Sequence, residues 1–529
     1  MYYRDLRDHI EVLERNGKLV RVARQMNKDA ELMPLVRWQF RGLPEKQRKA
    51  FFFENVVDVK GTRYRMPVLV ASHAASTDVY ALGMQCSPSE IMEKWAHAQR
   101  HRLEPTMVES GPVHEEIHVG DGLLEHGGLA EIPVPISTPG FDNAPYLTNA
   151  NWVSKDPETG VTNIGNYRTM IKGPIRTGIN CLGPQHIRTQ WEKCKRRGMP
   201  LQAAIFIGAS PNLSFVSVTK IPYGTDEYTV AGGIAGEPVE LVKCKTVDVE
   251  VPATAEIVIE GVLPTDYMER EAPFGEFTGY VGSDELMPCF EVTCITHRRD
   301  AIYNAFLSQF PPSESSKIRS TGHGATYYKF LKYDCNIPGI LDVVFHESSG
   351  AAAYCVIQMK KYHPAHVWQA LNGAITLWSS WPKIVIAVDD DIDPRDPDAI
   401  NWAMSFRVQP HRDIKIAQGK SFTMDPSAAP PTASTDERLY PAPSGSSALL
   451  VDATTKWPYP PVSLPRKDFM ENARQIWEEL GLPALTPKSP WYGYSLGHWT
   501  EENQLEAELA LQGEHYQTGE KLAKNRVEV

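Results

Sequence analysis

The feature that most constrains this chain is a change of pattern near its middle. From about Val113 to Phe306, short β-rich runs dominate, among them AAIFIGAS (203–210), SFVSVTK (214–220), VDVEVPA (247–253), AEIVIEGVL (255–263) and FEVTCITHR (290–298). Gly, Pro and Asn punctuate them, as in a barrel or sandwich with functional loops. Beyond Pro312 the pattern alternates. ILDVVFH (340–346), YCVIQMK (354–360) and KIVIAVD (383–389) read as strands, and His363–Leu377 and a segment through Ala399–Ser405 read as helices. Such alternation implies an α/β domain. Before Val113, Leu6, Ile10 and Leu13 keep helical spacing up to Gly17. Strands follow at Lys18–Val22, 51–56 and 66–72, then a helix at Pro88–Arg100. The expected fold is therefore α/β (α+β) in three units, 1–112, 113–311 and 312–500, with a helical tail over 501–529. Asp425–Ser447, rich in Pro, Ala and Ser, reads as a long loop.

Composition narrows the function. At 529 residues and 42% apolar content the chain can build large cores, yet no apolar run approaches the roughly 20 residues of a membrane span. The charged start MYYRDLRDHIEVLERNGK is unlike a secretory signal. A cytoplasmic protein without a membrane partner is expected. The net charge of -11 argues against a nucleic-acid partner. The dense basic cluster Lys193–Arg197 reads as a solvated helix end. Eight scattered cysteines without CxxC spacing read as reduced thiols, mostly buried.

Several segments invite chemistry. DYMEREAPFGEFTGYVG (266–282) sets Glu269, Glu271 and Glu276 within eight residues, and Pro273 and Gly275 preclude a continuous helix. Phe274, Phe277 and Tyr280 should bury the turn and raise a carboxyl pKa, while a neighbouring arginine would keep a second carboxylate charged. Asn163, His186 and Glu227 lie in separate segments, TNIGNYR, GPQHIR and IPYGTDEY. No short spacing links them, but if they converge, one imidazole and two oxygen donors suit Mn2+ or Mg2+. His114–His118 reads HEEIH, the zinc-protease pattern, which needs a helix to put both histidines on one face. Its Gly-Pro and Gly-Asp-Gly flanks and the alternation of Val113, Ile117 and Val119 instead predict a strand with exposed histidines. AGGIAG (231–236) lacks a nucleotide-loop pattern and reads as a turn or close-packing element.

Taken in order, TNIGNYR (162–168), PQHIR (184–188), IPYGTDEY (221–228), VKCKTVDVEVPATAEIVIEG (242–261), EAPFGEFTGY (271–280) and DATTKWP (452–458) resemble the UbiD-like decarboxylases over nearly the whole chain. The resemblance implies a central split β-barrel that binds flavin and a C-terminal α/β domain that mediates homo-oligomerisation, as a dimer or hexamer. It implies prenylated FMN as cofactor, made by a flavin prenyltransferase. Asn163, His186 and Glu227 match the ligands of a divalent cation such as Mn2+. K+ is expected beside it on backbone carbonyls near Ile164, Val216, Ser217 and Thr219. Asn163, Ile164, Gly165, Asn166, Tyr167, Arg168, Gln185 and Lys456 match cofactor-binding positions, with His186 and Glu227 reaching the cofactor through the metal. Arg168, Glu271 and Glu276 match the catalytic trio, Arg168 orienting the substrate carboxylate and pairing with Glu271, and Glu276 donating the proton. Ile164-Gly165 stands where cinnamate-type members carry Trp-Ser, a difference that bears on pocket shape.

The implied reaction is reversible, non-oxidative decarboxylation of an aromatic, heteroaromatic or other α,β-unsaturated acid through a covalent cofactor adduct, releasing CO2. Loss of CO2 from an sp2 carbon needs an electron sink that side chains lack. Two other readings stand beside it. One is an aromatic acyl-CoA decarboxylase of the phthaloyl type, with Lys193–Arg197 meeting a CoA phosphate. The other is a non-catalytic stabilising subunit, against which an intact Arg168, Glu271 and Glu276 argue.

Overall fold

The computed structural model describes residues 1–181, 183, 185–282, 285–420, 424–428, 446–525 and 527. Pro184 of the PQHIR segment and residues 429–445 of the expected loop lie outside that set. Among the described residues no helix is long and apolar enough to cross a membrane.

The first helix, Leu6–Arg15, is capped by Asp5, whose side chain accepts from the Arg7 and Asp8 amides, and it buries Leu6, Ile10 and Leu13. Gly17 follows it at φ 65, a conformation that favours glycine. Four strands form the first sheet in the order Leu19–Asn27, Ala50–Val57, Val68–Val70 and Tyr303–Ala305. Its last strand, parallel to Val68–Val70, comes from beyond the central sheet, so the chain returns to complete the N-terminal layer.

The central sheet has nine strands among the described residues, and every pairing in it is antiparallel. Its order is Tyr146–Leu147, Thr169–Gly173, Arg176–Gly178, Cys289–His297, Ile257–Leu263, Leu201–Ile207, Asn151–Lys155 and Thr162–Asn166. Glu116–Val119 also pairs with Cys289–His297. Both faces are covered. Ala203, Ile205 and Ile207 enter one core with Trp152 and Phe290, and Ala204 and Phe206 enter another with Val153 and Val258. Two-sided burial explains why this strand is written as a continuous apolar run.

A third sheet runs Ile340–Phe345, Tyr354–Met359, Ile384–Val388, Ser446–Ala453 and Ile414–Lys420. Helix Pro364–Thr376 covers one face through Val367, Ala370 and Leu371, and helix Pro397–Arg407 the other through Ala399, Ile400 and Ala403. Helix Glu314–Lys329 joins the cores, sending Ile318 and Ala325 to the central one and Tyr327 and Tyr328 to the C-terminal one. The tail forms helices Glu501–Leu511 and His515–Lys524. All eight cysteines are free, and five of them are buried.

Three local expectations are corrected. SFVSVTK is not a strand: Pro211–Val218 is a helix with proline in its first turn and every residue through Ser217 buried. A helix buried all round shows no amphipathic period, and its β-branched valines suggest a strand. HEEIH is split between a 3-10 turn ending at His114 and strand Glu116–Val119. In that strand His118 is buried while Ile117 and Val119 face outward. AGGIAG is not a turn but part of helix Glu227–Ala235. Side chains at Gly232 and Gly233 would run into the backbone of Leu103 and Ala98, so the close-packing half of that expectation is what the structure contains.

Candidate active site

Three elements bring Asn163, His186 and Glu227 together. Asn163 sits on strand Thr162–Asn166, opposite Ser154. His186 opens helix His186–Arg196, and Glu227 opens helix Glu227–Ala235 behind an Asp226 cap. His186 Nδ1 lies 3.0 Å from Asn163 Oδ1 and 3.8 Å from Glu227 Oε1. Glu227 Oε2 accepts from the Ile164 amide at 2.7 Å. Burial and, next, the charge of Lys220 press His186 down to about 4, so its imidazole is neutral at pH 7. Burial also lifts the Glu227 carboxyl well above the usual range. A cation there would reverse that cost by stabilising the carboxylate.

Polar atoms around this cluster lack partners. Asn163 Nδ2, Asn166 Nδ2, Gln185 Oε1 and Arg168 Nε are buried without a hydrogen bond. Buried polar groups are seldom left this way, and several in one neighbourhood fit a polar ligand. A Cβ at Gly165 would overlap the Tyr167 ring, so a serine at this position needs the ring elsewhere. Of the expected potassium positions, Val216, Ser217 and Thr219 fall at the end of helix Pro211–Val218, and Ile164 lies on strand Thr162–Asn166. Ser217 Oγ donates to Asn151 Oδ1 at 2.6 Å, across the hairpin from Asn166, and Ile164 and Val216 share one core. The carbonyl end of a helix carries partial negative charge, which favours a cation.

Arg168 follows the same strand and is set against both predicted glutamates. It forms a close ion pair with Glu276, and its Nε lies 3.8 Å from Glu271 Oε1. The nearer partner is thus Glu276, where Glu271 was expected. Glu271 sits on strand Glu269–Glu271 with no exposure, whereas Glu276 lies in a loop closed by hydrogen bonds from its own amide to Tyr280 O and from Gly279 to Glu276 O. Gly279, at φ 92, makes that turn. Burial pushes Glu271 up to about 7 against the opposing pull of Arg168 and Lys172. Neither Glu271 oxygen has a hydrogen-bond partner, and a side chain at Gly178 would collide with one of them. The Arg168 guanidinium also stands 5.4 Å from the Phe274 ring centroid. Phe274 and Phe277 are buried as expected, but Tyr280 is exposed.

One predicted site residue has its partners elsewhere. Among the described residues Lys456 makes no hydrogen bond or ion pair with this cluster. Its Nζ donates to Asp452 O and Thr454 O at 2.8 and 2.7 Å and pairs with the Asp452 carboxylate at 2.9 Å, all within the C-terminal unit. The expected anion contact is replaced by an aspartate one helical turn's spacing back along the chain. Conversely, Lys220 and Arg319 were missed. Lys220 acts on both His186 and Glu227, and half-buried Arg319 stacks 4.1 Å from the Phe277 centroid with its pKa lowered to about 10 by desolvation. Lys220 directly precedes IPYGTDEY, which was its only signal, and Arg319 had none.

Comparison with known proteins gives the family. Models of the 3-octaprenyl-4-hydroxybenzoate carboxy-lyase N-terminal, Rift-related and C-terminal domains match residues 10–99, 106–310 and 317–453. A protein of Aquifex aeolicus (strain VF5) is 30% identical over 509 residues, covering 91% of this chain and 99% of that protein. Among solved structures, an evolved dimeric form of the UbiD-class enzyme HmfF from Pelotomaculum thermopropionicum, in complex with prFMN, is 29% identical. It covers 89% of this chain and 100% of its own, with TM-score 0.76. The vanillic acid decarboxylase of Sedimentibacter hydroxybenzoicus, in closed form, is 26% identical, covers 91% and 99%, and has TM-score 0.77. The chain belongs to the UbiD family of carboxy-lyases. It is an enzyme, and its chemistry is decarboxylation.

Proposed function

We propose that the protein decarboxylates a free aromatic or other unsaturated carboxylic acid with prenylated FMN as cofactor. The observation that carries this reading is Arg168 set between Glu271 and Glu276 beside the converged Asn163, His186 and Glu227. Those last three residues would hold a Mn2+-type cation, for which one imidazole and two hard oxygens are suited. Backbone carbonyls of Ile164, Val216, Ser217 and Thr219 would hold K+. The partnerless amides of Asn163, Asn166 and Gln185 would meet the cofactor's polar groups, and Lys220 and Arg319 supply the positive charge that a phosphate needs. The modified flavin, when bound, would supply the electron sink that side chains lack.

The protein's own residues do the rest. Arg168 binds the substrate carboxylate, which competes with Glu276 for the guanidinium. Glu276, released from its pair, takes a proton from solvent. As CO2 leaves, that proton passes from the Glu276 carboxyl to the carbon that held the carboxylate, and Glu276 is reprotonated for the next turnover. Glu271, buried and with its pKa pushed up to about 7, is only partly ionised at neutrality, so it does not fully neutralise the second side of Arg168 and the guanidinium stays available to substrate. Phe274 walls one side of the guanidinium and excludes water.

For the alternative CoA thioester, the basic cluster is only partly engaged, since Lys195, Arg196 and Arg197 are exposed. Lys193 is already paired with Asp156 at 2.7 Å and with Glu158 at 2.9 Å. The deciding experiment offers cofactor-loaded enzyme a panel of free aromatic acids and of aromatic CoA thioesters, with products separated by chromatography. Turnover of one or more free acids and of no thioester is expected. Turnover confined to thioesters would overturn the substrate assignment.

A further inference from the structure

A second cluster of ligand-type side chains lies on the edge of the central sheet. The register pairs His118 with Ile295 and Glu116 with His297, so His118 and His297 are diagonal neighbours on one sheet face. Their rings meet edge to face, 5.1 Å between centroids. The chain then turns through helix Asp121–Glu125, which His126 caps, and the 3-10 turn Gly128–Glu131. That path lays the His126 ring flat on His118 at 3.8 Å, so that exposed His126 would turn its ring to share an ion with His118, and it points the Glu131 carboxylate at both buried histidines. Glu131 Oε2 stands 3.2 Å from His118 Nδ1, and Glu131 Oε1 stands 3.3 Å from His297 Nε2.

These approaches are close, yet they lack hydrogen-bond geometry. His118 Nδ1, Glu131 Oε2 and His297 Nε2 are all buried without a hydrogen-bond partner. The tautomer of His297 is fixed, because its Nδ1 lies 2.7 Å from the Arg298 carbonyl, a pure acceptor, and must carry the proton. In the neutral ring Nε2 then turns a lone pair toward a carboxylate. An outer carbonyl that orients a histidine in this way is the usual support of a metal-bound imidazole. Ligand atoms of His118, His126 and Glu131 all lie within 4.8 Å of one another. Ligands about 2.0–2.2 Å from a tetrahedral ion stand roughly 3.3–3.5 Å apart, which matches the Glu131 distances.

We propose that His118, His126, His297 and Glu131 bind one zinc-class divalent cation, separate from the Asn163, His186 and Glu227 set. Three imidazoles and one carboxylate suit Zn2+ better than Mn2+ or Mg2+. His118, His126 and Glu131 are the residues whose ligand atoms converge, and His297, which reaches Glu131 through its other oxygen, would complete the shell as the fourth ligand and make the site structural. It fastens the four-residue strand Glu116–Val119 and the turn behind it to strand Cys289–His297. Exposed His126 provides the entry path. His114 takes no part, and the site shares only His118 with the HEEIH pattern.

The test uses the full chain, stripped by chelator dialysis and titrated with Zn2+ against a chromophoric chelator, in wild type and in His186→Ala. His186→Ala should still bind one zinc, which should raise its thermal midpoint, and wild type should bind that zinc and at most one more at the Asn163, His186 and Glu227 set. X-ray absorption at the zinc edge should report imidazole ligation. His126→Ala, an exposed change that leaves the core intact, should weaken zinc on the order of 10–100-fold, the range set by altering a metal site's support, and Glu131→Gln and His297→Gln at least as much. If His297→Gln fails to fold, His126→Ala decides. Zinc binding unchanged in His126→Ala, or binding that disappears in His186→Ala, would overturn the proposal.

Discussion

Glu271 and Glu276 are five residues apart and meet the same guanidinium from different surroundings. Glu271 has no exposure, and burial lifts it from 4.5 to about 7. A carboxyl whose folded-state pKa is raised favours folding below its unfolded value and loses that advantage as pH climbs through the folded one. In cofactor-free protein, the stability of wild type relative to Glu271→Gln should therefore fall as pH rises from about 4.5 to about 7, by at most about 3 kcal/mol. The carboxyl band lost in the infrared difference between the two proteins should titrate near pH 7, and a midpoint near 4.5 would contradict the assignment. Glu276→Gln should retain flavin but turn over on the order of 10^2–10^4-fold more slowly, with solvent deuterium no longer entering the product. Near-wild-type exchange in that variant would remove Glu276 as proton donor. Both acids were legible in the sequence because Pro, Gly and aromatic residues crowd them into one short segment. Their division of Arg168 was not, since which carboxylate lies nearer depends on strand Glu269–Glu271 and the loop after it, not on spacing.

At the scale of elements, helix Pro211–Val218 holds the site from behind, and helix Glu314–Lys329 presses on its carbonyl end. The approach is close enough that a side chain at Gly322 would strike Thr219 Oγ1. Gly322→Ala should cost about 1–3 kcal/mol by overpacking and lower the thermal midpoint. Gly42→Ala, at the end of helix Leu32–Gly42 with open space around it, should be neutral or slightly stabilising. Equal effects would mean that the helix contact is not tight. This helix shows where the sequence misleads. Elements with one wet face, such as Leu6–Arg15, display their period, whereas a fully buried one offers only composition, and Phe215, Val216 and Val218 suggest a strand. The edge strand Glu116–Val119 fails for the opposite reason. Its alternation is correct but its facing is reversed, because His118 turns inward toward Glu131 while Ile117 and Val119 face outward.

For the whole molecule, the β-rich middle and the alternating C-terminal part were readable because strands and helices repeat at different periods. The return of Tyr303–Ala305 to the N-terminal sheet was not, since pairing across more than two hundred residues leaves no local mark. Lys220 and Arg319 went unmarked because no motif points to them, and Lys456, taken as a cofactor ligand from the resemblance, is paired here with Asp452. On the proposed function, what unites the three layers is a site whose polar groups would hold a flavin that carries the difficult step. The most direct test is to purify the protein from a host lacking a flavin prenyltransferase and from the same host supplied with one. CO2 release from a panel of aromatic acids is then measured beside the flavin absorption spectrum. Activity should appear only in the second preparation, with an altered spectrum, and full activity from the first would contradict the account.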